Sequence, residues 1–204
     1  MIGIYGGTFD PVHYGHLRTA LEVKEVFDLD EIRLIPCSQP AHRESPHTTT
    51  DMRLQMLELA IQNHLGFVVD RRELDRDGYS YMIDTLKSLR KEMPDKALFL
   101  IIGTDAFSGL ADWYQWQQLF DYAHIVVITR PRYQQTELSA FLSTKLTCTK
   151  ENLKLKKAGY LYFQAVTQLD ISATAIRNMV AKDRAPNFLL PDNVIGYIKQ
   201  NKLY

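Results

Sequence analysis

The chain has 204 residues, 46% of them hydrophobic, which is enough to build a sizeable core without disulfides or structural metal. Its 24 basic and 24 acidic residues cancel to a formal net charge of +0, so no polybasic or polyacidic character draws it to nucleic acid or to an anionic membrane. Its two cysteines, Cys37 and Cys148, form no CxxC pair and have no ligand-like spacing to the six histidines, which argues against a disulfide scaffold or a zinc finger.

Ile2-Gly3-Ile4-Tyr5 reads as a first strand and runs straight into Gly6-Gly7. There is no basic n-region with an apolar stretch behind it, and no apolar run nears the roughly 18 to 20 residues that span a bilayer. The expected address is cytoplasmic. Leu17, Ala20, Leu21 and Phe27 supply the apolar face of a helix, interrupted by Lys24, whose long stem can snorkel. Ile32 to Ile35 is a second strand, closed by Pro36, and Ser38 to Thr50 is a long polar loop. Met52, Met56 and Ala60 mark the next helix, and Phe67-Val68-Val69 a third strand. Met82, Leu86, Leu89 and Met93 repeat the helical spacing until Pro94 stops it.

Ala97 to Ile102 is apolar throughout and predicts a central strand buried on both faces, with Ile125 to Ile128 as its neighbour. Trp113-Tyr114-Gln115-Trp116 reads as a loop leading into a short helix. From Pro131 to Gly159 the pattern blurs, and Lys145, Lys150, Lys154, Lys156 and Lys157 suggest a solvated face. Leu161-Tyr162-Phe163 is a last strand, followed by a helix near Ser172 to Ala181 and another near Pro191. The alternation predicts one α/β domain over residues 1–204, a Rossmann-like open and mostly parallel sheet with helices on both faces, ending in a helical region at about 172–204.

Gly6-Gly7-Thr8-Phe9-Asp10-Pro11-Val12-His13-Tyr14-Gly15-His16 follows the first strand and precedes the first helix, at the sheet edge where α/β proteins bind ligands. Paired glycines allow a sharp turn and close approach of backbone to phosphate, and the free N–H groups of an opening helix favour an anion. Gly-Lys-Ser/Thr is missing, so this is not a P-loop, and the glycine order is not the dinucleotide fingerprint. Zinc would need a third ligand beside His13 and His16 at ordinary spacing. By themselves the two histidines could also be surface residues.

His13-Tyr14-Gly15-His16 resembles the HxGH signature of the nucleotidyltransferase superfamily, and the GGTFDPVH lead-in resembles its bacterial nicotinate mononucleotide adenylyltransferase branch. The second signature, ISSTxxR, is matched by Ile171-Ser172-Ala173-Thr174-Ala175-Ile176-Arg177, with alanine at its third position. Between them, Ile35-Pro36-Cys37-Ser38-Gln39-Pro40-Ala41-His42-Arg43 is similar to IPxxxPPHK, with Arg43 for lysine. Ser80-Tyr81-Met82-Ile83-Asp84-Thr85-Leu86 is similar to SYTxxTL, with Met82 for threonine. Ile101-Ile102-Gly103-Thr104-Asp105 resembles IIGxD, and Trp113 and Tyr114 open the WxxxxxL-like stretch. The ending from Leu189 to Ile198 resembles LLPxxVxxYI and carries no assigned chemistry.

The resemblance implies transfer of AMP from ATP to nicotinate mononucleotide, with His16, His13, Thr8 and Arg177 as the catalytic set. It implies nucleotide binding by Gly6, Gly7, Phe9, His13, His16, Arg43, Gly103, Asp105, Ser172, Thr174 and Arg177. Met82, Thr85, Trp113 and Tyr114 would face the pyridine ring, with backbone donors near Thr85 and Tyr114 receiving its carboxylate. ATP is the co-substrate and Mg2+ travels with its triphosphate; no dedicated protein metal site is expected, and Asp10 reads as an organiser of its turn. Nicotinamide mononucleotide or phosphopantetheine as acceptor, a silent nucleotide sensor, and assembly into a homo-oligomer stay open at this point.

Overall fold

The computed structural model describes residues 1–39, 46–130, 133, 137–167 and 169–204. In chain order its elements are β1 (Ile2–Gly7), α1 (Tyr14–Phe27), β2 (Glu31–Pro36), α2 (Thr50–Ile61), β3 (Phe67–Val69), α3 (Met82–Glu92), β4 (Leu98–Gly103) and α4 (Thr104–Ser108). Two 3-10 turns, Leu110–Asp112 and Trp116–Gln118, precede α5 (Leu119–Tyr122) and β5 (His124–Thr129). Then come α6 (Ala140–Lys145), α7 (Asn152–Leu155), β6 (Leu161–Ala165), α8 (Ala173–Val180) and α9 (Asp192–Gln200). No helix among the described residues is long and apolar enough to cross a membrane.

The sheet order is β3-β2-β1-β4-β5-β6 and every neighbouring pair is parallel. This is the doubly wound arrangement: the chain starts mid-sheet, builds out to β3, then crosses back past β1 to β4. Each strand sends alternate residues to opposite faces. Phe99 and Ile101 join Phe27, Met56, Leu57, Ile176 and Val194 in one core, beneath α1, α2, α8 and α9. Leu98, Leu100 and Ile102 join Ile83, Leu86, Leu89, Leu119 and Phe120 in the other, beneath α3 and α5. The expected coverage of both faces is therefore realised, and β4 and β5 are the buried central strands.

Beside β2, β1 stays paired from Ile2↔Glu31 to Gly7↔Pro36, whereas beside β4 it pairs only from Ile2↔Leu98 to Ile4↔Leu100. Beyond Ile4 these two strands part, which opens a crevice at their carboxyl ends where the winding reverses.

Two details differ from the sequence reading. The buried side of α1 is Thr19, Ala20, Val23 and Phe27, with Leu17 and Leu21 half-buried at its margin. The helix α4 follows β4 directly and carries too few apolar residues for periodicity to reveal it. The lysines of 145–157 lie on a largely solvated face, as expected, with Lys150, Lys154, Lys156 and Lys157 exposed, and they also reach neighbouring groups. Lys154 pairs with Asp28 at 2.9 Å and Lys157 with Asp95 at 2.7 Å. Lys150 donates to the Val26 carbonyl, and Lys145 and Lys156 lie over the Phe141 and Tyr160 rings.

Candidate functional site

The glycine turn is shaped by its neighbours. A Cβ on Gly6 would stand 2.8 Å from the Met82 methyl, so that flexible chain end would have to shift, and one on Gly7 would stand 2.9 Å from the ring of the buried Phe9. The Gly7 carbonyl accepts the Cys37 N–H at 3.0 Å on the β2 side. In a trans peptide the next N–H points the opposite way, so that of Thr8 is directed to the β4 side, toward the crevice. Phe9 takes a left-handed backbone (φ 50°) that sinks its ring into the core, 2% exposed. At the start of α1 the Tyr14 N–H is taken by the Leu189 carbonyl, and those of His16 and Leu17 by the His13 carbonyl. Among the described residues, the Thr8, Phe9 and Gly15 N–H groups have no partner and remain for an anion.

His13 caps α1 and is 5% exposed; its ring stacks on His16 with centroids 3.8 Å apart at 27°. Gly15 is what lets the rings meet, because a Cβ there would lie 2.9 Å from His13 Nδ1. His16 Nδ1 accepts the His13 backbone N–H at 3.4 Å. A neutral His16 so held carries its proton on Nε2, as a donor. Burial pushes the His13 imidazole down to about 4, and burial followed by the closeness of His13 holds His16 well below the usual histidine range. Both rings are therefore neutral at pH 7 in the free protein. His13 Nδ1 is buried with no partner among the described residues.

Asp10, 3% exposed, ties four segments together. Its carboxylate accepts the His47 N–H at 2.7 Å, the Thr48 hydroxyl at 2.7 Å and the Tyr204 hydroxyl. Burial and then Asp10 raise the Tyr204 phenol far above its usual range, so it stays a donor. The Asp10 carbonyl accepts Arg177 Nη1 at 2.7 Å, and Arg177 Nη2 donates to Thr174 at 3.1 Å. Ser172 caps α8, accepting the Ala175 N–H at 3.4 Å, with its hydroxyl exposed. The helix that carries Arg177 thus docks against the turn that carries the histidines.

On the opposite lip, Gly103 caps α4 and a Cβ there would touch nothing within 4 Å. Asp105 is exposed in the first turn of that helix. Trp113 is half-buried, and the exposed Tyr114 packs on Tyr81 with centroids 4.8 Å apart.

The cytidylyltransferase-like family model matches residues 4–179. A Methylococcus capsulatus protein named "Probable nicotinate-nucleotide adenylyltransferase" is 49% identical over 208 aligned positions, covering 100% of this chain and 99% of the relative. A Pseudomonas aeruginosa protein of the same name is 44% identical, covering 100% of this chain and 96% of its own length. The Plasmodium falciparum nicotinic acid mononucleotide adenylyltransferase complexed with NaAD has the same fold, with a TM-score of 0.75 at 21% identity, covering 100% of this chain and 96% of that one. The chain belongs to the nicotinate-nucleotide adenylyltransferase family.

Within this family member, the Arg177–Asp10 bond joins the turn that carries Gly6, Gly7, Thr8, Phe9, His13 and His16 to the helix that carries Ser172, Thr174 and Arg177. Gly103 and Asp105 follow the carboxyl end of β4, and Tyr114, next to Trp113, packs on Tyr81 just before α3. Arg43 lies outside the described residues. Met82 opens α3 with its methyl against Gly6. Thr85 is the fourth residue of α3. It is 0% exposed, its hydroxyl donates to Glu73 at 2.6 Å, and its N–H is directed to the Tyr81 carbonyl at 3.3 Å. The unpartnered donors opening α3, among the described residues, are the Met82 and Ile83 N–H groups, because the third and fourth amides already bond back to Tyr81. Sequence reasoning missed Tyr204 and Arg53. Arg53 occupies a core-facing position of α2 with Met56, Leu57 and Ala60, and a cation in an apolar stripe was the available signal.

Proposed function

We propose that this protein transfers the adenylyl group of ATP to nicotinate mononucleotide, giving nicotinate adenine dinucleotide and pyrophosphate. The observation that carries the reading is the Arg177–Asp10 hydrogen bond, which joins two signatures 167 residues apart at the switch-point crevice. An oxygen of the acceptor's phosphate bonds to the α-phosphorus while the bond from that phosphorus to the bridging oxygen breaks, and the electron pair leaves with pyrophosphate. The acceptor brings its own anionic nucleophile, so the protein's task is alignment and charge stabilisation.

In this reading the unpartnered Thr8, Phe9 and Gly15 N–H groups and His16 Nε2–H donate to the α-phosphate, assisted by His13 and the Thr8 hydroxyl. Ser172, Thr174 and Arg177 hold the β/γ end, with the guanidinium of Arg177 already oriented by Asp10 and Thr174. Gly103 leaves room for close approach and Asp105 accepts ribose hydroxyls. Trp113 packs on the pyridine, and the Met82 and Ile83 amides, with that of Tyr114, receive its carboxylate.

Magnesium travels with the triphosphate and would neutralise charge on its oxygens. Among the described residues no group of three His, Cys, Asp or Glu is placed to hold a metal, and the Asp10 carboxylate is already engaged by three donors. We place the enzyme in the cytoplasm, where ATP is supplied. The test is pyrophosphate release with ATP and magnesium. Nicotinate mononucleotide should support it at least tenfold better than nicotinamide mononucleotide, because a site lined with donors leaves the amide's own N–H groups unpaired. Equal turnover with phosphopantetheine would reject the acceptor assignment.

A further inference from the structure

Arg53 is the largest fully buried side chain outside the apolar set, 1% exposed beneath the glycine turn. Its Nη1 donates to the Thr8 carbonyl at 2.9 Å, and its Nη2 reaches the Ser38 carbonyl and the Thr50 hydroxyl, each at 3.4 Å. Its Nε is buried with no partner among the described residues. These three acceptors are neutral. By contrast, Arg33 and Arg72, which are more exposed, share the carboxylates of Asp70 and Glu92. A guanidinium taken out of water is costly, and with no carboxylate on Arg53 among the described residues, an anionic ligand nearby would offset that cost.

The bond to Thr8 has a second consequence. The cis peptide of this turn is Asp10–Pro11, so Thr8–Phe9 is trans and its C=O and N–H point in opposite directions. Drawing the Thr8 carbonyl down onto α2 turns the Phe9 N–H away from Arg53. That N–H has no partner among the described residues, and Phe9 is held at φ 50°, which a non-glycine residue adopts only under constraint.

We propose that Arg53 is a positioning residue for the polyphosphate of ATP: it aims the Phe9 N–H at a phosphate oxygen and places a buried positive charge behind the turn. This rests on the ATP reading given above. Arg53→Met keeps the stem and removes both the fork and the charge, while Arg53→Lys restores the charge without the fork.

ATP and adenosine are titrated against the full chain. Arg53→Met should bind ATP at least tenfold more weakly and adenosine within twofold of wild type, with Arg53→Lys between. Equal loss for both ligands, or no loss for ATP, would overturn the proposal. Should Arg53→Met not fold, wild-type protein labelled with 15N-phenylalanine carries the test. Of its 9 phenylalanine amides, that of Phe9 should move most with ATP and little with adenosine. A still Phe9 amide overturns the proposal. Failure of wild type to bind ATP at all would take the functional reading down with it, whereas unchanged ATP binding by Arg53→Met removes Arg53 alone.

Discussion

Replacing Gly15 by alanine should separate activity from stability. The added Cβ would stand 2.9 Å from His13 Nδ1 and 3.0 Å from Cε1, where ordinary contact starts at 3.4 Å, so the ring must retreat by about 0.5 Å. It cannot do so without sliding on His16, stacked at 3.8 Å. Gly15 is absent from the positive-φ residues, so alanine can take up its backbone, and an alanine in the helix is worth about 0.5 to 1 kcal/mol. Overpacking costs about 1 to 3 kcal/mol, so net stability should fall by no more than about 2.5 kcal/mol. Misplacing an aligning group by such a distance costs about ten- to a hundredfold in rate. The assay is kcat/KM for adenylyl transfer, with urea denaturation alongside. A His13→Ala background provides the control, since removing the ring removes the clash. There, Gly15→Ala should change kcat/KM by less than threefold, a clear departure from additivity. Equal losses from Gly15→Ala in both backgrounds would refute the steric argument.

The histidine pair should also make the fold acid-sensitive. With His13 lowered from 6.5 to about 4, the unfolded state binds more protons between those values, so stability is full above pH 6.5 and falls as the pH drops; at pH 5 His13 accounts for about 2 kcal/mol. The gap between urea midpoints at pH 7.5 and 5.0 should narrow in His13→Gln, with His16 accounting for part of the decline that remains, and an unchanged acid decline would show that the His13 ring is not buried neutral. Tyr204→Phe removes one hydrogen bond to a carboxylate from a half-buried hydroxyl and should cost about 1.5 kcal/mol, with kcat/KM lowered as Asp10 loosens its hold on Arg177. Wild-type stability and activity in that variant would remove Tyr204 from the network.

Much of this protein is written locally. Each strand is a short apolar run and each long helix a recurring apolar spacing, so β4 and β5 were identifiable as central, and Ser172 as the start of α8, from neighbouring residues alone. The two signatures are local as well, since a phosphate turn needs its glycines and histidines adjacent in the chain. Tertiary structure decided what local patterns do not encode. The strand order places the ends of β1 and β4 side by side, and only their parting beyond Ile4 and Leu100 makes a crevice. That Thr85 is buried with its hydroxyl on Glu73 is not written in its motif, because which side of α3 meets the core depends on the sheet it packs against. Arg53, Tyr204 and the link from Arg177 to Asp10 span 45, 194 and 167 residues. Periodicity decays over a few turns of helix, and contacts at such separations exist only once the sheet has assembled and closed the loops between them.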